Sequence, residues 1–230
     1  MTIPKRFIRS VPERTPTDVE AWWAGFEAIH PDWEMVTYRD PIDAAAFPLT
    51  GHAWPACRHP AQMAGLLRLE ALYHQGGVWV DSDVECYRSF EPLRSVPCFV
   101  AWEDHRTVPD AIIGAEAGHA AIKACLDEAT RAVLAGEDPW HSGPGVLTRL
   151  LPGRRDVLLL PPGSLYPYHW TRKEVERGFD HKASQPWAFA AHHWRASWVR
   201  PRNPEPSPSI MRRAIRKVRR LFSTNGAAPY

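Results

Sequence analysis

The chain has 230 residues, 44% of them hydrophobic, with 28 lysines and arginines against 26 aspartates and glutamates for a net charge of +2. That length suits one domain with an appendage, and the apolar fraction is enough for a sizeable core. The charge is uneven: residues 209–230 hold Arg212, Arg213, Arg216, Lys217, Arg219 and Arg220 and no acid, leaving the rest mildly acidic, which argues against a nucleic-acid reader with its broadly basic contact face.

In chain order, Ile3 to Ser10 reads as a first strand. Thr17 and Glu20 match a capping box that opens a helix through Trp22, Trp23 and Phe26. Trp33 to Tyr38 suggests a second strand. Ala61 to His74 reads as a helix closed by Gly76 or Gly77, and Val78–Val80 as a buried strand. Strands follow at Cys98–Trp102 and Ala111–Gly114, then a helix from about His119 to Leu134. The run Trp140 to Gly145 is a loop, with a short helix near Leu147–Leu151 and strands at Val157–Leu160 and Trp187–His192. Strands alternating with helices predict an α/β fold around a mainly parallel sheet. Residues 200–209 form a proline-rich linker.

No run of eighteen apolar residues occurs, so no membrane-spanning helix is expected. The start lacks an apolar signal region, and Cys57, Cys86, Cys98 and Cys125 form no C-x-x-C pair. A cytoplasmic protein with reduced thiols is the expectation, without a zinc or redox motif.

The chemistry concentrates in Gly76–Glu85 (GGVWVDSDVE). Side chains alternate along an extended segment, so Asp81 and Asp83 are expected on one face and Ser82 on the other. Two neighbouring carboxylates repel, and a hard divalent cation between them is the simplest remedy. Beyond the carboxyl end of a strand in an open α/β sheet, such a pair suits Mg²⁺ or Mn²⁺ bridging to a nucleotide diphosphate. Trp79 reads as a core residue.

Several blocks recur in order: Pro4-Lys5, Pro31–Glu34, Leu66 to Tyr73 leading into Gly76–Asp83, Ala111–His119, Ser142–Leu147, Tyr166-Pro167 and His192–Trp198. Together they resemble the DXD-containing sugar transferases of glycosyltransferase family 32, the group with capsular-polysaccharide and Och1-like mannosyl transferases. The resemblance spans about residues 3 to 199. It implies a GT-A fold with helices flanking the sheet, a UDP- or GDP-sugar donor, Mn²⁺ or Mg²⁺, and retention of anomeric configuration. It further implies that Asp83 ligates the metal, that Asp81 contacts the donor and the metal's water shell, and that Arg68 reaches the donor sugar or phosphate. These three form the expected catalytic set. Ser82 is grouped with the donor contacts, and Ser197 and Trp198 close over the leaving group.

The resemblance also implies that His192 or His193 completes the metal shell or holds the diphosphate. The two alternate on a strand, so at most one faces the site, and His193 is favoured. Arg68 has a second reading as an ion-pair partner of Glu70. Glu103 and Asp104 either bind acceptor hydroxyls or form a solvated loop; Ser142 and Gly143 either flank the acceptor channel or make a plain turn. Tyr166, Tyr168 and Trp170 either cradle a sugar or fill the underside of a lid. One departure from the family pattern stands out: Ala64-Gly65 occupies the place of a Ser-Asp pair, so an acceptor for donor-sugar hydroxyls is missing at Gly65.

Met211, Ala214, Ile215, Val218, Leu221 and Phe222 recur at helical spacing among the cations of the tail. Residues 210–230 therefore form a basic amphipathic helix suited to the anionic inner face of a membrane, and a lipid-linked saccharide is one acceptor this suggests. The expected organisation is a catalytic domain over 1–199, the linker and the tail. The rival readings are a nucleotide-sugar hydrolase or inactive relative, and a carbohydrate-binding or membrane-associated scaffold.

Overall fold

A computed structural model describes residues 2–172 and 181–195. Ser197, Trp198, the proline-rich linker and the basic tail lie outside these residues. β1 (Arg6–Val11), β2 (Glu34–Arg39), β3 (Gly77–Val80), β5 (Cys98–Ala101), β6 (Ile112–Ala115) and β7 (Leu158–Leu160) form one sheet in the order β2-β1-β3-β6-β5-β7. β6 runs antiparallel to both its neighbours, and the other five strands share one direction. The sheet is mainly parallel, as the alternation of elements predicts. A separate two-stranded antiparallel ribbon joins β4 (Val84–Cys86) to β8 (Ala190–His192).

All four β3 residues are buried, because both faces of the sheet are covered. Trp79 enters one core with Ile113, Leu66 and Leu72, while Val78 and Val80 enter the other with Phe7, Phe26 and Phe90. The first core lies under α2 (Pro60–Gln75), α3 (Ala120–Leu134) and α4 (Pro144–Leu150), and the second under α1 (Thr17–Ile29). Trp79 is thus a core residue, as its sequence context suggests.

The two glycines before β3 are required by geometry. Gly76 has φ 62° and ends α2 by donating its N–H to Leu72 O at 2.8 Å; a Cβ there would stand 2.6 Å from Ala117 N. Gly77 has φ 114°, and a Cβ on it would meet Arg6 O at 2.8 Å. Only residues without side chains let the chain leave α2 and slide against β1 at once.

Three local expectations are corrected. The first strand starts at Arg6 rather than Ile3. α1 has Pro16 at its N-cap and no side-chain cap; Glu20 instead accepts from Arg9 at 2.5 Å and Arg39 at 3.3 Å, drawn to the sheet by two cations rather than back to its own backbone. β3 ends at Val80, so Asp81 and Asp83 are not brought together by strand alternation. They occupy a tight turn in which Val84 N–H donates to Asp81 O at 3.1 Å.

Candidate active site

The turn between β3 and β4 sits at the carboxyl end of β3, and the β4–β8 register sets His192 opposite Val84. That places the imidazole over the turn: His192 Nε2 lies 2.9 Å from Asp83 Oδ1. Asp83 Oδ2 accepts the Arg195 backbone N–H at 2.8 Å, and Asp83 O accepts that of His193 at 2.8 Å. Asp81, Asp83 and His192 each offer a ligand atom within 4.8 Å of the others.

The sequence favoured His193 for this position, and the structure gives it to His192. His193 points away, stacked on Trp22 with ring centroids 4.3 Å apart, its Nε2 3.0 Å from Glu85 Oε2 and its Nδ1 3.0 Å from Tyr168 Oη. Trp194, at φ 51°, turns the chain back so that its ring centroid lies 4.0 Å from that of His192.

α2 supplies the cation of the site. Its middle is buried all round from Gly65 to Leu72, so both of its charged residues there need partners. Glu70 accepts from Leu49 N, Thr50 N and Thr50 Oγ1 at 2.6–2.8 Å, which sets aside the Arg68–Glu70 pair. Arg68 bridges two carboxylates: Asp81 Oδ1 at 2.7 Å and Asp110 Oδ2 at 2.6 Å. At 5% exposure it holds Asp81 in position through this bridge, and its Nε has no hydrogen-bond partner among the described residues. Trp79 Nε1 donates to the same Asp81 oxygen at 2.9 Å.

These partners push the two aspartates apart in acidity. Burial raises the Asp81 carboxyl to about 6, with Asp110 and Asp83 adding to the rise and Arg68 opposing it. Burial acts the same way on Asp83, but His192 and the Arg195 N–H outweigh it and hold that carboxyl at about 2. Burial disfavours a charged His192, yet Asp83 wins and raises it above its ordinary value.

The donor set fits a hard or borderline divalent cation. Two carboxylates and one imidazole converge, both hydrogen bonds to Asp81 fall on Oδ1, and His192 Nδ1 is a buried nitrogen with no hydrogen-bond partner.

A pH dependence follows. Asp81 and His192 both hold protons more tightly folded than unfolded. The stability their protonation adds is present below their unfolded values, and is lost as pH rises through about 6 for Asp81 and then through the raised value of His192. Asp83 acts oppositely, and its contribution disappears only on strong acidification towards about 2. In EDTA, the thermal midpoint should fall from about pH 5 to about pH 8, and Asp81→Asn should flatten the first part of the fall. An identical profile for wild type and Asp81→Asn would contradict this arrangement of charges.

Other expected site residues fall differently. Ser82 sits half-buried at the turn between the aspartates. Ser142 is 1% exposed; its Oγ donates to Asp138 O and accepts from Gln62 Nε2, so it is spent inside the fold and not offered to an acceptor. Gly143 is buried too, and a Cβ there would meet Pro139 O at 2.8 Å and Asp110 Oδ2 at 3.3 Å, so it backs the acidic cluster. Asp104 folds its own loop by accepting from Arg106 N and Thr107 N at 2.7 Å, which accounts for this carboxylate without an acceptor. Tyr166 is buried, its Oη accepting from Ile112 N at 3.2 Å. Gly65 lies one helical turn before Arg68 with only Ser142 O, at 3.9 Å, near its missing Cβ. Gly65→Ala should therefore be accommodated and stabilise the fold by about 0.5–1 kcal/mol in urea denaturation, through helix propensity; a loss of stability would show the space to be needed.

Sequence reasoning missed Asp110, Glu85 and Trp22. Asp110 becomes visible only once β6 is known to pair antiparallel with β3, where Asp81 N donates to Ala111 O at 2.8 Å.

Residues 26–100 match the family model described as a glycosyltransferase sugar-binding region containing a DXD motif. That stretch is similar to a DXD-type glycosyltransferase region. Inositol phosphoceramide mannosyltransferase 3 of Schizosaccharomyces pombe is 27% identical over 106 residues, covering 42% of this chain and 30% of that protein. Mannosyl phosphorylinositol ceramide synthase CSH1 of Saccharomyces cerevisiae is 25% identical over 107 residues, covering 44% and 28%. The match spans less than a third of the length of either relative. Among solved structures, the PaToxG glycosyltransferase superposes with a TM-score of 0.52 at 17% identity, over 65% of this chain and 69% of that one. The DXD-type region thus sits on the GT-A glycosyltransferase fold expected from the sequence.

Proposed function

We propose that this protein is a metal-dependent, retaining glycosyltransferase that moves a sugar from a nucleotide-sugar donor to a saccharide or lipid-linked acceptor. The observation that carries this reading is the convergence of Asp81 and Asp83, within the matched region, with His192 at the carboxyl end of β3. Asp83, ionised at every functional pH, would hold Mn²⁺ or Mg²⁺ with His192, and Asp81 would complete the set through Oδ2. Such a cation neutralises the charge that develops on a departing diphosphate, the electrostatic contribution that usually dominates such transfers.

The chain's own residues supply the rest. Arg68 holds Asp81 from behind and balances part of the local negative charge. Trp194, packed against His192, helps to keep water from the leaving group. The named relatives put a nucleotide-linked mannose at the head of the donor panel. The basic tail suits an anionic membrane surface at the cytoplasmic face, where a lipid-linked acceptor would lie.

Consumption of UDP- and GDP-sugars with Mn²⁺, with and without saccharide acceptors, tests the reading. Metal-dependent, acceptor-stimulated consumption is expected. Consumption indifferent to every acceptor would instead indicate a hydrolase, and none at all a non-catalytic protein.

A further inference from the structure

A cavity of about 310 Å³ opens between the loop after β5, which gives Glu103, and the segment that gives Tyr166, Pro167, Tyr168 and His169. The Glu103 side chain is 5% exposed, and its Oε1 is buried without an aligned hydrogen bond, although His169 Nε2 stands 3.1 Å away. A carboxylate oxygen in that state is rare unless a ligand or water completes it. Burial also raises the Glu103 pKa.

The lining mixes polar groups, Glu103 and His169, with ring faces. Tyrosine and proline faces line the cavity. Trp170, 55% exposed, lies beside His169 with ring centroids 5.6 Å apart. Trp187, 56% exposed, stands over Gly163 on the cavity wall, its Nε1 3.5 Å from where a Cβ would be.

The cavity shares a wall with the acidic cluster. Tyr166 lines it, and the Tyr166 ring lies 6.2 Å from that of His192 and 6.0 Å from that of Trp194. The wall carries one carboxylate, Glu103, with the His169 imidazole beside it. What fits is a neutral ring with C–H faces for the aromatics and a hydroxyl for the acid.

We propose that this cavity takes the acceptor's terminal polyhydroxylated ring, a sugar or a cyclitol. One ring hydroxyl donates to Glu103 Oε1, and the C–H face lies against the tyrosine wall, with the Trp187 indole beside it at Gly163. The assignment rests on the transferase reading above, since it sets the acceptor beside the donor's cation.

Saturation-transfer NMR on the full chain tests it, using methyl α-mannoside, methyl β-galactoside and myo-inositol as probes in the presence of nucleoside diphosphate and diamagnetic Mg²⁺. At least one probe should show transfer to its ring C–H protons, with Kd weakened about tenfold in Glu103→Gln and also in Trp187→Ala, the loss of one charge-assisted hydrogen bond or one stacking face. Nucleoside diphosphate binding should persist in both variants and so report an intact fold; should Glu103→Gln lose it, Trp187→Ala decides alone. No binding by any probe, or wild-type affinity in a folded Glu103→Gln, overturns the inference while nucleotide binding leaves the transferase reading standing. Failure of the wild type to bind nucleotide as well would remove both.

Discussion

Asp83→Asn should lower kcat/KM for sugar transfer by about 10³-fold while the protein stays folded. The amide keeps the shape of the carboxylate and one acceptor for the Arg195 N–H or for His192, so the β4–β8 ribbon keeps its latch to the turn. What it loses is the carboxyl that His192 and the Arg195 N–H hold at about 2. Steady-state kinetics across Mn²⁺ concentrations, with circular dichroism as the fold control, decide the matter. A loss confined to Mn²⁺ affinity at low metal would already support the ligand role, and unchanged turnover at all metal concentrations would remove it.

Arg68→Met should cost about 3 kcal/mol of stability or more, because it strands Asp81 and Asp110 together without their shared cation. Methionine fills the same channel in α2, so packing alone is nearly preserved. Arg68→Lys should not restore the loss, since a single ammonium cannot fork to two carboxylates. Adding Asp110→Asn to Arg68→Met should recover part of the stability by removing one stranded charge, a coupling that a double-mutant cycle in urea measures. A cost under about 1 kcal/mol for Arg68→Met would show that the bridge is not what holds Asp81 in place.

The sequence made the strand and the acid pair of the site legible because both are local. Val78-Trp79-Val80 is a buried strand by residue type, and the glycines before it and the aspartates after it mark its ends. The positions of most helices and strands followed from similar local signals. The partners of the pair were harder, because they arrive through pairings with no local mark. His192 or His193 depends on the register of β8 against β4, and a shift of one residue exchanges them. Asp110 depends on β6 running antiparallel to β3. Arg68 was recognised as important, but its bridge to Asp81 and Asp110 was not, since its burial depends on how α2 is covered from every side. Ser142 has the residue type of a binding group, and only the placement of Gln62 and Asp138 around it shows that its hydroxyl is already in use.

An anomalous-difference map from crystals soaked with Mn²⁺ and a nucleoside diphosphate bears most directly on the acidic cluster as a cation site. A single strong peak bonded to Asp83 and His192, within reach of Asp81 Oδ2 and of the diphosphate oxygens, is expected. A manganese peak elsewhere on the protein, or nucleotide bound with Asp83 still tied only to His192 and the Arg195 N–H, would contradict it.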